Sequence, residues 1–173
     1  MKYINKSLTI ENIKVQDIAK KFGTPIYCYS YKRLKENIAN FQNNFNSFSP
    51  LICFAIKSNT NVKLITEIQK LGLGADVVSM GELMLALKAG VKPNKIVFSG
   101  VGKTSEEISY AINKKILLIN AESKSEIIEI ERIARSKKRA VSIGIRLNPN
   151  TDAKTLKQIS TGKKENKFGV DEK

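Results

Sequence analysis

LICFAIKSNTNVKLITEIQKLGLGADVVS, residues 51–79, alternates an unbroken apolar run, an amphipathic stretch and a second apolar run. LICFAI (51–56) and GADVVS (74–79) read as strands, because short continuous apolar runs suit strands covered on both faces. NVKLITEIQKLG (61–72) repeats its apolar residues at helical spacing and reads as the helix between them. The alternation continues downstream. MGELMLALKAG (80–90), TSEEISYAINKK (104–115) and SKSEIIEIERIARSKK (123–138) are helical, while KIVFSG (95–100), ILLIN (116–120) and AVSIGIRL (140–147) are strand-like. Gly72 and Gly90 fall where glycines close helices, and Thr104 and Ser123 where N-cap side chains open them. Upstream, VQDIAKKF (15–22) and YKRLKENIANFQNNF (31–45) predict helices, with PIYCYS (25–30) a short β-rich run between them.

Apolar strands separated by amphipathic helices predict an α/β protein with a parallel sheet, in about five β/α units. An open doubly wound sheet and a (β/α) barrel both satisfy this pattern. A barrel needs eight strands and roughly 250 residues, and the strand starts at 51, 74, 95, 116 and 140 keep a rhythm that suits one. Periodicity alone leaves both open.

The chain has 173 residues, 42% of them hydrophobic and 27% charged, an ordinary composition for one packed domain. No uncharged apolar stretch is long enough to span a bilayer and no signal peptide opens the chain, so no membrane association and a cytoplasmic location are expected. The net charge of +14 raises nucleic-acid binding. Against it, the basic residues are mostly lysines spread along the chain as pairs at 20–21, 114–115, 137–138 and 163–164, without interleaved aromatics. No nucleic-acid partner is expected. Cys28 and Cys53 lack metal-ligand spacing and read as buried reduced thiols, and with no histidine no metal site is expected.

Ligands of parallel α/β sheets bind at the carboxyl edge of the strands. Lys57, in FAIKSN (54–59), ends the first strand there, followed by Ser99 and Gly100 on the third, Asn120 on the fourth and Arg146 on the fifth. A lysine at such an edge, where low dielectric and neighbouring cations favour the neutral amine, is suited to Schiff-base chemistry. A lysine that merely ends a strand in a lysine-rich chain is the alternative.

Three segments, FAIKSN (54–59), GADVVSMGEL (74–83) and ISTGKKENKFG (159–169), occur in the order and with the intervening β/α rhythm of the diaminopimelate decarboxylases. These are fold-type III pyridoxal-phosphate enzymes related to ornithine decarboxylase and alanine racemase. The sequence resembles their amino-terminal half from about Gly23 to Val170. The resemblance implies a partial (β/α)8 TIM-type barrel, truncated at about five units. It implies pyridoxal 5'-phosphate as cofactor, held by Lys57 as a Schiff base, with Asp76, Glu82 and Arg146 near it. It further implies conversion of meso-diaminopimelate to L-lysine and carbon dioxide, in lysine biosynthesis. Residues 1–30 would form an N-terminal segment including a strand of the family's β domain (PIYCYS), and residues 31–173 an incomplete cofactor-binding barrel.

Departures from the family pattern qualify the expectation. Leu156 stands where the family usually has a histidine, and the family's ring-stacking histidine, phosphate-binding glycines and ring-nitrogen carboxylate come later than residue 173. The expectation is therefore a chain inactive alone, complemented by a carboxy-terminal half or a homodimer. The alternatives are a non-catalytic or remnant cofactor-binding protein, or a related amino-acid decarboxylase or racemase. The loop from Asn148 to Asn166 and the following KFG are read as shaping the mouth before another helix.

Overall fold

The computed structural model describes residues 1–45, 47–149, 151 and 169–171. The chain divides into two compact units, Met1–Pro50 and Leu51–Lys173.

The first unit opens with an antiparallel meander of β1 (Lys2–Ile4), β2 (Ser7–Ile10) and β3 (Ile13–Lys14). Its turns, Asn5-Lys6 and Glu11-Asn12, hold all four residues at positive φ (47°, 61°, 49° and 72°), the twist a two-residue hairpin requires. Helices α1 (Val15–Phe22) and α2 (Tyr31–Asn43) follow as expected. Ser30 caps α2 by accepting from the Arg33 amide at 3.0 Å. The Glu11 carboxylate accepts from both the Ser30 hydroxyl and the Lys32 amide. PIYCYS forms no strand, because no described segment offers it a ladder; Tyr27 is 88% exposed and Cys28, expected to be buried, is an exposed free thiol.

The second unit runs β4 (Cys53–Ala55), α3 (Val62–Lys70), β5 (Gly74–Val77), α4 (Met80–Lys88), β6 (Ile96–Phe98), α5 (Ser105–Lys114), β7 (Leu118–Ala121), α6 (Lys124–Ser136) and β8 (Ile143–Ile145). All five strands are parallel and lie in the order β4-β5-β6-β7-β8. A doubly wound sheet reverses its strand order at a switch point. Here no reversal occurs, which settles the choice that periodicity left open: the row is that of a (β/α) barrel. A short pair extends beyond it, β9 (Leu147–Asn148) parallel to β10 (Val170–Asp171). A strand thus stands where the sequence suggested a helix after KFG. The segment ISTGKKENKF and Leu156 lie outside the described residues.

The core sits between the sheet and its helices. Ala75, Val77, Ile96, Phe98, Ile119 and Ala121, alternate residues of β5 to β7, are at most 1% exposed. They pack with Ile65, Leu83, Ile108 and Ile130 from the four helices. The period of two leaves Asp76, Ser99 and Asn120 on the other face. Gly72 and Gly90 close α3 and α4 with φ of 93° and 90°. Helices α4, α5 and α6 all start on the same device: Ser79, Thr104 and Ser123 accept from the amides of Glu82, Glu107 and Glu126 three residues on. Those glutamates turn back to accept from the amides of Val78, Thr104 and Glu122. This serine-or-threonine to glutamate spacing is the capping-box signature, and each instance fixes the chain where it leaves a strand.

Candidate functional site

Strand β4 ends at Ala55, so Lys57 does not sit on it; Ile56–Ser58 form a single 3-10 turn. The Ser58 hydroxyl donates to the Ala55 carbonyl at 2.7 Å and the Asn59 amide to the Ile56 carbonyl at 2.9 Å. Ile56 is wholly buried and anchors the turn, while Lys57 is exposed. The turn holds Lys57 at the carboxyl edge of the sheet, where it lines a depression of about 700 Å³ with Asp76, Ser99, Asn120, Glu122 and Arg146. Among the described residues the Lys57 ammonium makes no hydrogen bond or ion pair.

The acceptors around it are fixed. The Asn120 amide donates to the Ser99 hydroxyl at 3.0 Å, and that hydroxyl donates to Asp76 Oδ1 at 2.6 Å. A ladder thus crosses from β7 to β5, holding the Asp76 carboxylate from one side. Close approach is needed beside it: a Cβ on Gly144 of β8 would lie 2.4 Å from Asn120 Oδ1.

On the other side stands a buried charge network. Glu122, 5% exposed, accepts from the Gly100 amide at 3.2 Å and from Arg146 Nη1 at 3.2 and 3.3 Å. The side chain of Lys103 is 1% exposed, and its ammonium donates to the carbonyls of Gly100 (2.6 Å) and Asn120 (2.7 Å) and to Glu126 Oε1 (2.9 Å). Three donors meet three oxygens, which is what makes burial of this ammonium tolerable. Gly100, at φ 92°, is pinned at both its N–H and its C=O.

Of the residues singled out in the sequence, Lys57, Asp76 and Arg146 come together in this depression, with Ser99, Gly100 and Asn120. Glu82 is not among its lining residues; its carboxylate accepts from the Val78 amide at 2.9 Å, and Val78 is the one that faces the depression. Sequence reading missed Glu122 and Lys103. Their only local signal is the polar AES and GKT that follow two strands, and the partners that give them meaning lie on other β/α units. Cys53 is half-buried at the sheet edge; burial first, then the Asp76 charge, pushes its thiol above the usual range and keeps it protonated. No His, Cys, Asp and Glu cluster suited to a metal occurs among the described residues.

Known proteins share this sequence and fold. The model of the family described as pyridoxal-dependent decarboxylase, pyridoxal binding domain, matches residues 31–173. Diaminopimelate decarboxylase of Helicobacter pylori is 48% identical over 158 residues, covering 91% of this chain and 39% of that protein. The crystal structure of the Helicobacter pylori enzyme complexed with L-lysine superposes with a TM-score of 0.87 at 46% identity, over 90% of this chain and 40% of the other. That of M. jannaschii diaminopimelate decarboxylase, also with L-lysine, gives 0.87 at 37% identity, over 96% and 40%. The chain thus spans about two fifths of the length of the relatives it matches.

Proposed function

Because the chain belongs to the pyridoxal-dependent decarboxylases, carrying their pyridoxal-binding domain over residues 31–173, we propose that it forms the cofactor-holding part of a diaminopimelate decarboxylase. The observation that carries this reading is the Lys57 ammonium, unengaged among the described residues and set in a depression whose other charged groups are already tied. The donor set fits pyridoxal 5'-phosphate: an available amine, a fixed carboxylate and a fixed guanidinium beside a space of about 700 Å³.

In this reading Lys57 is the residue that holds the cofactor covalently. The bound ring supplies an electron sink for the electron pair left when carbon dioxide departs from the amino-acid substrate. Asp76, steadied by Ser99 and Asn120, offers a fixed negative charge that orders protons near Lys57. Arg146, held by Glu122, places a fixed positive charge at the wall of the depression. Glu82 acts at one remove, by holding Val78 at the mouth.

The substrate of the assembled enzyme is meso-diaminopimelate and the products L-lysine and carbon dioxide, in the cytoplasm. Residues 1–30 belong to a β-rich second domain, and a complementing carboxy-terminal half, with homodimerisation, completes the site. Lysine formation is the test. The 173-residue chain with cofactor is expected to form lysine no faster than free cofactor, since loose placement forfeits an orientation term on the order of 7 kcal/mol or more. Addition of the carboxy-terminal part of a close relative is expected to raise the rate well above that ceiling. Failure of both mixtures, with Lys57 left unlabelled by the cofactor, refutes the proposal.

A further inference from the structure

We infer that a second binding site, for a small organic acid, lies at the opposite end of the sheet from Lys57. A cavity of about 340 Å³ opens between the end of α5 and the entry into β8. Ala111, Ile112, Ile119 and Val141 supply an apolar floor, and Lys115 and Arg139 are its charged lining; no carboxylate lines it.

Both cations have donors to spare. Arg139 Nη1 donates at 3.1 Å to the carbonyls of Ile112 and Asn113, the exposed end of α5, which fixes the guanidinium plane. Its remaining N–H groups, and the whole Lys115 ammonium, make no hydrogen bond or ion pair among the described residues. An anchored guanidinium with a free edge is preorganised to grip a carboxylate through two parallel hydrogen bonds.

Helices α3 and α4 end on Gly72 and Gly90 at positive φ, as left-handed backbone favours. Helix α5 instead places Lys115 in that conformation, at φ 56°, and Lys138 stands at φ 51° just after α6. A side chain is disfavoured there. The Lys115 amide closes α5 on the carbonyls of Ala111 and Ile112, which sets its side chain at the rim of the cavity. The charge asks for an anion, the floor asks for a short aliphatic body, and the volume limits the whole to a small molecule. The inference is independent of the function proposed for Lys57, because none of these residues lines the first depression.

The experiment is a titration of the 173-residue chain, carrying 13C-labelled Ala, Ile and Val methyl groups, with isovalerate. Inorganic phosphate (an anion without a body) and isoamyl alcohol (a body without charge) are the comparison probes. Saturable shifts of the Ala111, Ile119 and Val141 methyls with isovalerate, and weaker responses to both other probes, are expected. Lys115→Gly is expected to weaken isovalerate binding at least about tenfold, the loss of one charge-assisted contact, while raising Tm by relieving the backbone. Lys115→Gln repeats the test with the backbone unrelieved. No saturation with isovalerate, equal response to phosphate or to the alcohol, or unchanged affinity in both variants overturns the inference.

Discussion

Two lysines stand at the carboxyl edge of one parallel sheet and differ in every physical respect. The Lys103 side chain is buried, its three donors spent on Gly100, Asn120 and Glu126. Lys57 rides on a 3-10 turn after β4, exposed and without a partner among the described residues. A buried ammonium with all donors satisfied holds structure together and is chemically quiet. An exposed one, held in place by the buried Ile56 beside it, contributes nothing to packing and remains available to react. The difference sets a lysine that serves the framework apart from one whose amine is unengaged among the described residues.

The comparison breaks most visibly at Lys103. Lys103→Met leaves the Glu126 carboxylate and two carbonyls without their donor, and is expected to destabilise by about 3–5 kcal/mol in denaturant titration. Lys57→Met is expected to stay within about 0.5 kcal/mol of the parent, as for a surface change. Equal losses would erase the distinction between the two lysines.

Gly144→Ala ranks next. Its Cβ would meet Asn120 Oδ1 at 2.4 Å, so Asn120 must swing away from Ser99. A cost of about 1–3 kcal/mol is expected, with loosened support for Asp76. An alanine there that costs nothing would show that the ladder from Asn120 to Asp76 is soft.

How legible this was in the sequence depends on how local each feature is. The five strands and four helices announced themselves by period, and Thr104 and Ser123 by cap chemistry, because each is decided within a few residues. Lys57 was singled out through its motif, though a strand expected to run up to it hid the 3-10 turn that presents it. Glu122 and Lys103 were not legible, since each gains its meaning from partners 17 to 24 residues away on another unit. The first fifty residues were read least well. Strands as short as Lys2–Ile4 and Ile13–Lys14 give no period, and PIYCYS has β-rich composition but no ladder.

A smaller effect is expected at Thr104→Ala. It removes the acceptor for the Glu107 amide, at a cost of about 1 kcal/mol in thermal unfolding. Burial alone would raise the Glu107 carboxyl, but the Thr104 and Met80 amides outweigh it and hold it below its usual value. Loss of the hydrogen bond from the Thr104 hydroxyl should move its titration upward in NMR; no movement would show that the two backbone amides suffice.

The smallest effect belongs to half-buried Glu129, held down to about 2 by hydrogen bonds from Arg132 and Ser105. Its folded value lies below the unfolded one, so its contribution is present above about pH 4.5 and is lost as pH falls toward 2. Glu129→Gln should flatten the stability profile only in that acid window. A change at pH 7 as large as that of Thr104→Ala would place this surface pair among the framework.

Covalent capture shows whether Lys57 is the lysine poised for chemistry. The chain is incubated with pyridoxal 5'-phosphate, reduced with borohydride, and its labelled peptides are mapped by mass spectrometry. Label is expected to concentrate on Lys57, to be absent from Lys103, and to be lost in Lys57→Met without loss of fold. Label spread evenly over the exposed lysines would contradict it.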